Sequence, residues 1–262
     1  MPDMSNPSPN AFVRRCKAVL GAAALALAAT AAAVPTAAHA DAPHHYYIEI
    51  GGTGSVADSP TCTTTYGFAN QHLNGGIPVP VCYPASGGPF IGGHNEVPAL
   101  FAPSFGDSVN QGYQNTITTL ENTYHADPTA RFTIVGYSQG AWVGDLTLQK
   151  IANNGTDVPR SQVDGLLYSD PMQPGTGLWH LLPAGVPLPL VAVSPGTGPV
   201  DFPGVPVQRF CIHTDGVCDA TSLDSFNGFL QQHPQYWKDG NIMTQTIGRD
   251  SANGTVWYPA TA

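Results

Sequence analysis

Ser138 sits between two glycines in "GYSQG", within "RFTIVGYSQGAWVGDLTLQKI" (131–151), which passes from an apolar strand pattern into a helical one. A serine hydroxyl attacks a carbonyl carbon only when a base takes its proton and when it stands clear of the sheet. Gly136 and Gly140 leave room for a sharp strand-to-helix turn, and a helix opening near Gln139 aims backbone N–H groups at the same spot. The plainer reading is a Gly-rich turn with a capping serine. The "RFTIV" strand before it and the apolar-periodic helix after it (Trp142, Val143, Leu146, Ile151) favour a nucleophile.

A base and an acid are expected after the nucleophile, in the order Ser, acid, His. The C-terminal third supplies "CIHTDGVCD" and "QQHPQYW". Asp215 lies just past a strand, between Cys211 and Cys218, where a disulfide would hold its carboxylate still. His233 follows a helix, on a loop able to return over the strand ends. Asp219, Asp170 and His213 are the competing residues; Asp219 and Asp170 read as turn caps and His213 as a strand residue. With Ser138, Asp215 and His233 as the triad, a neutral imidazole is required, and its reference value of ~6.5 makes activity rise with pH through that region.

These residues need a sheet to hold them. "HHYYIEI" (44–50) reads as a strand closed by "GGTGS"; "IPVPVCYP" reads as a short strand that its prolines push to an edge. Val109, Tyr113, Ile117, Leu120 and Tyr124 recur at helical spacing, and "ADP" stops that helix. "VDGLLYSDP" and "VPVQRFCIH" read as later strands, and "SLDSFNGFLQQH" as a helix behind them. The alternation predicts an α/β fold with a mostly parallel central sheet flanked by helices. Residues 178–207 are apolar yet dense in Pro and Gly, which suits an ordered flap or insert rather than a helix.

Residues 1–40 read as a secretory signal peptide: Arg14, Arg15 and Lys17, then an Ala/Leu run from Ala18 to Val34, then "AAHA", with cleavage expected after Ala40. The run is too short, and interrupted by Pro35, to serve as a spanning helix of ~20 residues. The remaining 222 residues, 41–262, fit one domain. They carry a formal charge of −11, since the leader contributes +3 and −1 to the total of −9, which argues against a nucleic-acid partner. Four cysteines, Cys62, Cys82, Cys211 and Cys218, favour disulfides in an oxidising compartment. Of three pairings, Cys62 with Cys82 and Cys211 with Cys218 is the most local. Neither pair has the Cys-x-x-Cys spacing of a metal site, and no metal or cofactor is called for.

"GYSQGA", "CIHTDGVC" and "HPQY" together resemble the cutinase family, with its Ser, Cys-flanked Asp and His-x-x-Tyr order. The front half is similar to the PE-PPE domain, a related serine hydrolase module, in "IEIGGTGS", "CYPAS", "DSVNQGYQN" and "IVGYSQGAWV". The matching blocks touch 46–60, 81–86, 107–115, 131–146, 165–171 and 208–236. The resemblance implies an α/β-hydrolase fold and an oxyanion hole made by the Gln139 N–H and a first-loop donor, assigned to Thr53. Two departures stand out: the hydrolase blocks begin almost directly after the leader, without a PE or PPE helical module, and Gly52-Thr53-Gly54 replaces the cutinase Arg-Gly-Ser.

The expected reaction is acyl transfer from a carboxylic ester through an acyl-enzyme to water, in a secreted monomer whose partner is a small-molecule, lipid or polyester ester, with contact to a cell envelope or lipid surface. Leu178, Trp179, Leu181 and Leu182 are candidates for an acyl site. A cell-envelope acyltransferase with the same triad is the alternative. An envelope-binding module with an idle site is the non-enzymatic one, disfavoured because all three triad residues are present.

Overall fold

The computed structural model describes residues 42–249 and 252–261. The signal peptide expected at residues 1–40, with its cleavage site, lies outside them. The sheet has six strands in the order β2-β1-β3-β4-β7-β8, and every neighbouring pair runs parallel. They are β1 (His45–Ile50), β2 (Ile77–Pro80), β3 (Arg131–Tyr137), β4 (Val163–Tyr168), β7 (Val207–Ile212) and β8 (Gly254–Tyr258). The chain places β2 on one side of β1 and β3 on the other, so the strand order reverses there. In open α/β sheets the crevice at such a reversal, beyond the strands' carboxyl ends, is where ligands bind.

β2 is the edge strand that its prolines predict. The Val81 N–H donates to the Glu49 carbonyl at 2.9 Å, so by alternation Pro78 and Pro80 occupy positions whose N–H would face away from the sheet.

One face of the sheet is covered by α1 (Phe105–Ala126) and α2 (Gln139–Ala152). Ile48, Ile50, Phe132 and Ile134 pack there against Val109, Leu120, Val143 and Leu148, each buried side chain contributing roughly 1.5–3 kcal/mol. On the other face Tyr47, Val135, Leu166 and Phe210 meet Tyr236 and the short helix α4 (Ile242–Thr246). α1 starts four residues before Val109, the first of the periodic residues, because Ser104 caps it. Its hydroxyl accepts from the Asp107 N–H at 3.1 Å and donates to the Asp107 carboxylate at 2.7 Å. At the other end Asp127 is the C-cap.

The segment 178–207 is non-repetitive apart from a 3-10 turn at Leu178–Leu181 and the two-residue antiparallel pair β5 (Pro187–Leu188) and β6 (Ala192–Val193). Helix α3 (Asp224–Gln231) follows β7 as expected. The sequence reading missed β8. "GTVWY" is β-branched and aromatic after an Asn-Gly turn signal, and it extends the sheet beside β7 in register Phe210 to Val256.

Candidate active site

β3 ends at Tyr137 and α2 begins at Gln139, so a single residue makes the turn. Ser138 has φ 56° and ψ −120°, a strained conformation that lifts its hydroxyl off the sheet. The flanking glycines are required by close approach. A Cβ on Gly136 would lie 2.4 Å from the Gly140 carbonyl oxygen, and one on Gly140 would lie 2.1 Å from that of Ile50. The start of α2 therefore presses directly on the ends of β3 and β1.

Ser138 Oγ is 2.8 Å from His233 Nε2. His233 sits on a 3-10 turn, His233–Gln235, directly after α3. Its ring lies between Tyr137 (centroids 5.0 Å apart) and Phe229 (5.1 Å), both stacked on it, and the Tyr137 hydroxyl donates to the His233 carbonyl at 2.6 Å. On the far side His233 Nδ1 is 3.1 and 3.2 Å from the two Asp215 oxygens. Asp215 is fully buried. Burial raises its pKa, but the His233 charge and hydrogen bonds from His233, Ser169 and the Val217 N–H outweigh it and hold the carboxyl below its ordinary value.

The Cys211–Cys218 disulfide closes the loop carrying Asp215, and Cys62–Cys82 ties the segment after β1 to the one after β2. Gln139 is buried, with its side chain accepting from Ser108 Oγ at 3.2 Å and donating to the Ser86 carbonyl at 2.8 Å. Those bonds fix the first turn of α2 and with it the Gln139 N–H. In the loop after β1, the N–H groups of Gly52, Gly54 and Ser55 donate to Thr65 Oγ1, the Ala85 carbonyl and the Gly52 carbonyl. The Thr53 N–H has no hydrogen-bond partner among the described residues.

Ser138, Gln139, His233 and Thr53 all line one cavity of about 1140 Å³. Leu178, Trp179, Leu181 and Leu182 line it too, with Trp142 packed on Trp179 at 4.8 Å. Segment 178–207 thus forms one apolar wall, and Phe229 and Trp237 stand beside the histidine.

The competing residues fall elsewhere. His213 is exposed, stacked on Trp257 and 3.4 Å from Asp219. Asp219 caps its turn, accepting from the Thr214 N–H at 3.0 Å. Asp170 does more than the cap expected of it. It accepts from the Met172 N–H at 2.9 Å and also from buried Arg209 Nε at 2.9 Å.

Tyr236 entered the sequence reading only as part of a motif, and Ser169 escaped it. Tyr236, the tyrosine of "HPQY", is fully buried and accepts from the Ile212 N–H at 2.7 Å. Ser169, directly after β4, reaches both Asp215 and His233. Only the sheet register brings it there, because the Ser138 N–H donates to the Tyr168 carbonyl.

The PE-PPE domain model matches residues 75–222, more than half of the chain. The chain belongs to the PE-PPE domain family. No curated protein matches the sequence. Among solved structures it is similar to a cutinase-like protein from Cryptococcus sp. (TM-score 0.51, 18% identity, 78% of this chain and 91% of that one). It is also similar to the catalytic core of acetyl xylan esterase from Trichoderma reesei (0.45, 20%, 74% and 94%) and to lysin B from mycobacteriophage D29 (0.43, 18%, 71% and 70%). At these identities the cutinase-like match speaks for the fold. This PE-PPE chain has an α/β-hydrolase fold with a parallel six-stranded sheet.

Proposed function

We propose that this protein is an exported serine hydrolase that cleaves carboxylic esters of aliphatic acyl chains, with residues 41–262 as its one hydrolase domain. The observation that carries this reading is the hydrogen-bonded chain Ser138–His233–Asp215, opening on an apolar cavity. Ser138 Oγ attacks the ester carbonyl carbon and its proton passes to His233 Nε2. Asp215 orients the imidazole through Nδ1–H and stabilises the cation. The carbonyl oxygen takes up negative charge beside the N–H groups of Gln139 and Thr53, a donor of this kind contributing about 3–4 kcal/mol. Collapse expels the alcohol, which takes the proton from His233, and water repeats the sequence to release the acid.

Apolar residues dominate the cavity wall, which suits an aliphatic acyl chain. Hydrolysis of p-nitrophenyl esters of graded chain length, with and without an acceptor alcohol, tests the reading. The wild type is expected to release acid, and Ser138→Ala to lose both turnover and fluorophosphonate labelling. A Ser138→Ala variant with full esterase activity overturns the triad. Acyl transfer to the alcohol in preference to water points to the acyltransferase, and no turnover of any ester points to a binding module.

A further inference from the structure

Ser169 is fully buried and its backbone takes the left-handed conformation, φ 53°. Its N–H donates to the Phe210 carbonyl at 2.9 Å, which anchors the main chain between β4 and β7 and leaves the hydroxyl for other work. That hydroxyl donates to Asp215 Oδ2 at 2.5 Å and lies 2.9 Å from His233 Nδ1. The imidazole nitrogen is thus nearer to Ser169 than to either oxygen of Asp215, at 3.1 and 3.2 Å. One oxygen accepts from His233 Nδ1–H while its own proton is committed to the carboxylate.

We infer that Ser169 is a positioning residue of this site, resting on the triad reading above. It locks the His233 ring so that Nε2 faces Ser138. It also holds the carboxylate by a second, fixed contact. The Val217 N–H secures the other oxygen, Oδ1, at 3.1 Å, so Asp215 is clamped from both ends. During the reaction the Ser169 proton stays on Ser169. When Nε2 takes the Ser138 proton, the Nδ1–H bonds to Ser169 and Asp215 become charge-assisted and strengthen. The hydroxyl therefore favours the charged state of the histidine over the neutral one, which is the differential that lowers a barrier.

Ser169→Ala and Ser169→Gly separate the hydroxyl from the backbone. Both remove the bonds to Asp215 and His233, and glycine adopts φ 53° without strain. Each variant is expected to lose about 10- to 100-fold in kcat, with KM for a p-nitrophenyl ester within about twofold. Fluorophosphonate labelling of Ser138 should slow in proportion. Thermal unfolding of the glycine variant serves as the folding control. Wild-type kcat in either folded variant overturns the inference, as does recovery in glycine of a loss seen in alanine. If Ser138→Ala, assayed alongside, keeps its activity, the triad reading fails instead.

Discussion

Ser169 and Asp170 are neighbours in the chain and end in two buried acid clusters of opposite character. On the side of Ser169, Asp215 meets one imidazole, one hydroxyl and one N–H, and its carboxyl is held low. On the side of Asp170, two carboxylates share one guanidinium. Arg209 Nη2 is 2.7 Å from Asp145 and Nε is 2.9 Å from Asp170, all three side chains almost wholly buried. Burial and the charge of Asp170 push Asp145 up to about 8, against the pull of Arg209. The first cluster opens on the cavity through His233, which can move a proton. Among the described residues, the partners of the second cluster do not line the cavity. Instead it ties helix α2, through Asp145, to segment 178–207, since Arg209 also donates to the Pro199 carbonyl at 3.0 Å and lies over the Phe202 ring. Burial and carboxylates are common to both. Access and the number of partner charges separate the proposed reactive site from a clamp that holds.

The widest gap between the clusters is expected from Asp215→Asn, which removes the charge and favours the wrong imidazole tautomer. It should lower kcat about 10⁴-fold with the fold intact, read by ester turnover beside circular dichroism. Arg209→Met should do the reverse. The buried Asp145–Asp170 pair loses its cation, stability falls by about 3–5 kcal/mol in denaturant unfolding, and kcat of the folded fraction changes little. A large kcat loss there would dissolve the distinction.

Asp145→Asn sharpens the contrast through pH. A carboxyl whose folded value lies above its unfolded value of ~3.9 keeps a proton that the unfolded chain releases. Its stabilising contribution is present in acid and is lost as pH rises from about 4 towards about 8. The asparagine variant should flatten that decline in a series of melting curves. The smallest effect expected is from Phe229→Ala, which strips one stacked face from His233. Losing a stacking contribution of about 0.5–1.5 kcal/mol should lower the unfolding midpoint slightly and, by loosening His233, reduce kcat by no more than about tenfold.

The part of this fold that local pattern can encode was legible. The strand-Gly-x-Ser-x-Gly-helix turn, the proline-marked edge and the Cys-flanked aspartate each announce themselves within a dozen residues. Ser138, Asp215 and His233 meet as chain order suggests. What was hidden depends on register across the sheet. Ser169 looks like any serine after a strand, and only the pairing of Tyr137 with Tyr168 sets it beside the elbow. Asp170 looks like a turn cap until Arg209 arrives 39 residues later. β8 lies in a tail whose strand pattern gains meaning only beside β7, the strand it joins.

The two edge prolines bear on how such a molecule behaves in a crowd. An open sheet edge is a template on which a second chain can add a strand, the first step towards insoluble assemblies. At Pro78 and Pro80 the outward position has no hydrogen to offer, so an incoming strand would find acceptors and no donors there. Residues 41–262 carry a formal charge of −11, which keeps like copies apart, and along this border the backbone adds a deterrent of its own.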